Sequence, residues 1–173
     1  MKRLFFALWP DDATRQKIIQ FDNSLTDPRL KKVRSKNLHV TLVFIGNIES
    51  EQEDNIIKAV DDVFAPVIDM QFDQLTLWLQ KRGILSLTSS FQPSALLNLV
   101  EQLKNIVLAQ DVEIENRPYT AHITLARNIK KQPELEVDPP IQWQSDNFVL
   151  VHSVSTGRGV DYQVINTWPL VAK

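Results

Sequence analysis

No cysteine occurs in the 173 residues. That excludes disulfides, thiolate metal sites, iron–sulfur clusters and a catalytic thiol. Glycine is scarce at 4 and proline modest at 9, too little for a low-complexity or disordered chain. No apolar run approaches the ~18 residues a membrane helix requires. The opening run Leu4–Trp9 is cut off by Pro10-Asp11-Asp12, well short of a secretory core, and is expected to be the first strand of a soluble, cytoplasmic protein. An excess of one charge is missing too: 19 basic residues face 21 acidic ones, a formal net charge of -2. Contact with nucleic acid therefore has to come from a local patch and not from a basic body. What is present, 43% apolar and 23% charged residues, is the make-up of one globular domain or one duplicated domain.

The elements follow from the pattern. Leu4 to Trp9 is short, aromatic-rich and ended by Pro10, and Asp11 or Asp12 can cap a helix whose apolar face is Ile18, Ile19, Phe21 and Leu25. Five basic residues crowd into Arg29–Lys36, and Leu38–Ile45 then reads as a strand closed by Gly46-Asn47. A helical period through Ile56, Ile57, Val60, Val63 and Phe64 ends before Pro66. Residues 68–79 alternate with one slip and pair with Gly83–Leu87 through the Lys81-Arg82-Gly83 turn. Pro93 opens another helix carrying Leu96, Leu97, Val100, Leu103, Val107 and Leu108. Tyr119–Ala126 is a strand, Pro133–Pro140 a loop, and Phe148–Val154 and Tyr162–Trp168 are strands joined around Gly157-Arg158-Gly159. Strands and helices alternating with antiparallel hairpins make the class α+β.

One echo carries chemistry. Leu38-His39-Val40-Thr41-Leu42 in the first half returns as Ala121-His122-Ile123-Thr124-Leu125 in the second, which predicts two similar lobes from a duplication. Residues i and i+2 of a strand share a face, so His39 goes with Thr41 and His122 with Thr124. Two imidazoles and two hydroxyls across a cleft suit displacement at a phosphodiester. One neutral imidazole takes a proton from water, and one charged imidazole gives a proton to the departing oxygen. The hydroxyls donate to the non-bridging oxygens, and the scheme needs no metal. A cyclic phosphate on ribose is the natural substrate. Arg127 follows the second copy, where a guanidinium can grip phosphate. Its odd spacing from His122 requires a bulge or strand end before it faces the cleft. By the same parity Phe44 reads as core unless the register slips. In the basic cluster, Arg34 is the favoured phosphate contact, and Trp9, Tyr119 and Tyr162 are candidates for stacking a base.

These motifs resemble the 2H phosphoesterases, and within them the LigT-like RNA 2',3'-cyclic phosphodiesterases. The likeness rests on Arg3-Leu4-Phe5-Phe6-Ala7-Leu8, on Asn37 to Thr41 with Phe44-Ile45-Gly46, on Arg117-Pro118-Tyr119 through His122 to Arg127, and on Tyr162 with Trp168-Pro169-Leu170. It implies a single bilobal domain over residues 1–173, with two antiparallel sheets facing across a central cleft and helices outside. It also implies hydrolysis of 2',3'-cyclic phosphate RNA ends to 2'-phosphomonoesters, with reversible 2'-5' joining of RNA. In that assignment His39 is the proton donor and His122 the proton acceptor, and Thr41, Thr124, Arg127, Tyr162 and Arg34 bind substrate. Residue chemistry alone leaves the two histidines interchangeable. The expected partners are RNA with cyclic phosphate ends, tRNA halves or small cyclic nucleotides, acted on by a monomer without cofactor or metal. Ala121 stands where the family often has proline, and His152 where it often has an acidic residue.

Two other readings compete. A nucleotide- or RNA-binding module would keep the cleft without chemistry, although binding needs no paired acid and base. A histidine metal site is weaker, because only three histidines exist and no carboxylate sits at ligand spacing beside His39 or His122.

Overall fold

A computed structural model describes residues 1–171. The chain runs β1 (Lys2–Leu8), α1 (Asp12–Asp22), β2 (Lys31–Lys32), β3 (Val40–Ile48), α2 (Ser50–Val60), β4 (Ile68–Phe72), β5 (Gln74–Trp78), β6 (Ile84–Thr88), α3 (Ser94–Leu108), β7 (His122–Arg127), β8 (Ile141–Ser145), β9 (Asn147–Thr156) and β10 (Gly159–Pro169). Two four-stranded antiparallel sheets result, ordered β10-β9-β1-β3 and β2-β7-β6-β5, with β4 and β8 in a separate two-stranded ribbon.

The expected α+β class holds, but the two lobes are not the two halves of the chain. The first sheet draws on both ends, and β2, lying between β1 and β3 in sequence, belongs to the second. β1 explains this. Leu4, Phe6 and Leu8 enter the large core shared with the helices, while Phe5 and Ala7 pack with Val149 and Val151 on the other face. A strand apolar on both faces has to be covered on both, and β1 sits inside its sheet, its second edge paired by β9.

The helices form where the sequence places caps and stripes. Asp11 accepts the Thr14 N–H at 2.7 Å and starts α1. Pro93 stands at the N-cap of α3, which buries Leu96, Leu99, Val100, Leu103 and Val107 at helical spacing. Truncating one of these, as in Leu103→Ala, removes about 2–5 kcal/mol. The β5–β6 turn needs Gly83: its φ is +81°, and a Cβ there would sit 1.8 Å from the Ile129 carbonyl oxygen. The strand expected over 68–79 is two strands broken at Asp73, and only the second joins the hairpin.

Gly46 does not end β3, which continues to Ile48 with Gly46 at φ +89° beside a register shift. A second shift inserts Leu42 between the pairs Ala7–Thr41 and Phe6–Val43. Leu42 and Val43 then both enter the helix-side core, and Phe44 swings onto the face of Thr41. The expectation that Phe44 is core is therefore corrected: it lies opposite Phe5 and is 48% exposed, with the Arg3 guanidinium 5.0 Å over its ring.

Candidate active site

The two echo segments stand on facing walls. β3 is an edge strand of the first sheet, β7 lies second from the edge of the other, and the two run against each other. His39 precedes β3 by one residue and His122 opens β7.

Each imidazole is fixed in the same way. His39 Nδ1 lies 2.6 Å from the Asn37 carbonyl oxygen, and His122 Nδ1 lies 2.8 Å from that of Thr120. A carbonyl oxygen only accepts, so Nδ1 carries the hydrogen in both rings and Nε2 is the atom left to exchange protons. His39 Nε2 faces Thr41 Oγ1 at 2.9 Å, so a neutral ring accepts from the hydroxyl and a charged ring donates to it. Aromatic rings hold each imidazole in plane. Trp9 stacks on His39 at 5.5 Å, Phe5 lies at 5.0 Å, and Tyr162 meets its edge at 5.3 Å. Trp78 meets His122 edge-on at 5.1 Å.

Burial is the main electrostatic influence. It pushes His39 down to about 4, opposed by the hydrogen bond to Asn37 and reinforced by the charges of His122 and Arg15. Burial also lowers His122, against its bond to Thr120, with the Arg117 and Arg127 charges adding to the fall. Both rings are thus neutral at pH 7 in the free protein. Arg15 also braces the site mechanically. From α1 it donates to the carbonyls of Ser35 at 2.6 Å and Leu38 at 3.1 Å, and its guanidinium lies 5.6 Å from the Trp9 ring centre. It ties the segment leading into His39 to the wall behind it.

The bulge that Arg127 requires is present. Leu125 is the extra residue between the pairs Ser86–Thr124 and Leu85–Ala126, so Leu125 and Ala126 both enter the core and Arg127 shares the face of His122 and Thr124. Tyr162 is in the cleft against Phe5 and His39. Arg34 donates to the Arg158 carbonyl oxygen on the β9–β10 hairpin. Tyr119 is partly buried and packs against the core; its hydroxyl donates to the Thr41 carbonyl oxygen at 2.9 Å, and desolvation raises its pKa. His152 pairs with Leu4 on the helix side of its sheet, away from the cleft. Among the described residues no group of three His, Cys, Asp or Glu side chains is gathered for a metal, and no helix is long and apolar enough to cross a membrane.

Sequence reasoning passed over Trp78, Phe5 and Arg15. Alternation against the core residues Leu75 and Leu77 places Trp78 on the cleft face, a signal available in the sequence. Its nearness to His122 depends on strand register and was not.

A family model described as LigT-like phosphoesterase matches residues 8–85, which include His39 but stop short of His122. The RNA 2',3'-cyclic phosphodiesterase of Escherichia coli is 26% identical over 98% of this chain and 97% of its own. A protein of the same description from Archaeoglobus fulgidus is 27% identical over 84% of this chain and 83% of its own. The crystal structure of Escherichia coli LigT in its apo form superposes with a TM-score of 0.88 at 25% identity, covering 98% of both chains. With both histidine strands on opposing walls and relatives that align across the second as well as the first, this chain is similar in sequence and fold to the LigT-like phosphoesterases.

Proposed function

We propose that the protein is a metal-independent RNA 2',3'-cyclic phosphodiesterase that opens the ring to a 2'-phosphomonoester. The observation that carries this reading is the matched pair of imidazoles. Each has Nδ1 tied to the carbonyl two residues back, which leaves Nε2 to exchange protons, in His39 beside the Thr41 hydroxyl at 2.9 Å. His122 Nε2 takes a proton from the attacking water as its oxygen bonds to phosphorus. The bond from phosphorus to the 3' oxygen breaks, and His39 Nε2 gives that oxygen its proton. Thr41 and Thr124 donate to the non-bridging oxygens, whose charge grows in the transition state. The product leaves His39 neutral and His122 charged, and exchange with solvent resets the pair. A 5'-hydroxyl in place of water gives a 2'-5' linkage by the same path, the basis for joining RNA halves.

His39 must be charged to act as donor, yet burial holds it to about 4 in the free protein. The bound phosphate anion supplies the opposing charge and raises it in the complex. A cavity of about 380 Å³ lies beside this wall, bordered by Trp9 and Val149 but by neither histidine.

The test is incubation with 2',3'-cyclic AMP and with a short RNA ending in a 2',3'-cyclic phosphate, both in chelator, separating 2'- from 3'-phosphate products. A 2'-phosphate is expected. Tight binding with no product would replace this reading with that of a binding module, and activity abolished by chelator would overturn metal independence.

A further inference from the structure

The fold pairs three of the five cations at 29–36 with carboxylates and engages a fourth with a backbone carbonyl. Arg29 pairs with Asp27, Lys32 with Asp22 and Lys36 with Asp161, and Arg34 donates to the Arg158 carbonyl. Lys31 alone of the five makes no side-chain hydrogen bond or ion pair among the described residues. Its place is specific: Lys31 lies directly opposite Arg127 across the β2–β7 ladder, and both are exposed.

Directly opposed residues in an antiparallel pair project to the same face, and like charges there are destabilising. Arg127 has no acidic partner among the described residues either, its other neighbour in the sheet being Ile84. Lysine on an edge strand discourages pairing with foreign strands. That accounts for a lysine in β2 but not for setting one against Arg127. Since the bulge at Leu125 turns Arg127 to the cleft side, Lys31 faces that side with it. Arg127 is near enough for its charge to act on His122, while Lys31 stands one strand further out on the sheet edge, so together they suit a phosphate next to the one under attack.

We infer that Lys31 and Arg127 form a two-cation site for a backbone phosphate of the RNA chain attached to the reacting nucleotide. The site would favour an oligonucleotide over a lone cyclic nucleotide. The inference rests on the phosphodiesterase reading for its ligand, but its test does not depend on turnover. Binding of a six-nucleotide RNA ending in a 2'-phosphate is compared with binding of adenosine 2'-phosphate, which lacks any further phosphate. Lys31→Ala is expected to weaken the RNA about 5- to 10-fold at low salt, to lower the slope of log affinity against log salt by about 0.7, as for one phosphate contact on a single strand, and to leave adenosine 2'-phosphate unchanged. Lys31→Arg should retain RNA binding, and Lys32→Ala, which removes an already paired cation, should stay within about twofold of wild type. Equal loss for both ligands, or no loss for the RNA, would overturn the site. A wild-type protein that binds RNA in this pattern but hydrolyses nothing would sink the phosphodiesterase reading and keep the site.

Discussion

The two walls of the cleft share one backbone plan and differ in what it displays. Each has histidine, a β-branched residue, threonine and leucine, then a bulge that sends two successive residues into the core. The bulge consists of Leu42 and Val43 on the first wall and of Leu125 and Ala126 on the second. Five positions after the histidine, both walls turn a side chain back to the cleft face: Phe44 on one and Arg127 on the other. The first wall is apolar and aromatic, with Phe5, Trp9 and Tyr162 around His39. The second carries Thr76, Ser86, Thr88 and Thr124 on alternating positions beside Trp78, with Arg127 at its end. A symmetric scaffold with asymmetric lining sets like groups on either side of a phosphate and gives them different work, because desolvation is strongest on the aromatic wall.

The comparison breaks most sharply at the histidines. His39→Ala and His122→Ala are each expected to lose about 100- to 10,000-fold in kcat with folding intact. A p-nitrophenyl phosphodiester, whose leaving group departs without a proton, separates their roles: the His39 variant should recover much of its rate on it and the His122 variant should not. Recovery in the opposite variant would exchange acid and base.

Acid should next expose the aromatic wall. His39 is depressed in the folded protein, so its contribution to stability is full above the unfolded value of about 6.5 and is lost as pH falls toward about 4. Chemical unfolding is expected to show about 3 kcal/mol of this loss by pH 4, most of it removed in His39→Gln. In kinetics, kcat/KM should be bell-shaped with its optimum below pH ~6.5, because it reports the free protein. The optimum for kcat should lie higher, since bound phosphate raises both rings. Identical profiles would remove the role given to the substrate's charge.

At the fifth position, Arg127→Ala should weaken phosphate-dependent binding about 10- to 100-fold, the worth of a charge-assisted hydrogen bond. Phe44→Ala should cost only a few fold. Equal effects would mean that the two walls are less specialised than their residues indicate. The smallest effect tests what holds the walls together. Tyr119→Phe deletes the hydrogen bond from the loop before His122 to the Thr41 carbonyl and should lower stability by about 1 kcal/mol, read as a shift in denaturation midpoint.

Much of the molecule is legible from sequence. The amphipathic stripe of α3, the Asp11 cap, the hairpin turn at Gly83 and the paired His-x-Thr segments all depend on residues within a few positions of one another. Parity alone states the need for a bulge before Arg127, but it gives no sign that the identical slip occurs at Phe44. A bulge is set by which partner residue satisfies each backbone group, and β1 supplies that partner from more than thirty positions away. The surroundings of Arg34 and Tyr119 are hidden from local reading for a related reason. Their partners, the Arg158 and Thr41 carbonyls, are brought to them by chain crossings that no local pattern records.

The sequence by itself determined the chemistry available: two imidazoles, two hydroxyls, a nearby guanidinium and no thiol, on strands whose alternation puts them on common faces. Only the tertiary structure decided which cations remain free, which aromatic rings desolvate which histidine, and that the lobes interleave both ends of the chain. Side-chain identity and strand period are local properties. Burial, charge pairing and register are set by residues that meet only when the sheets close.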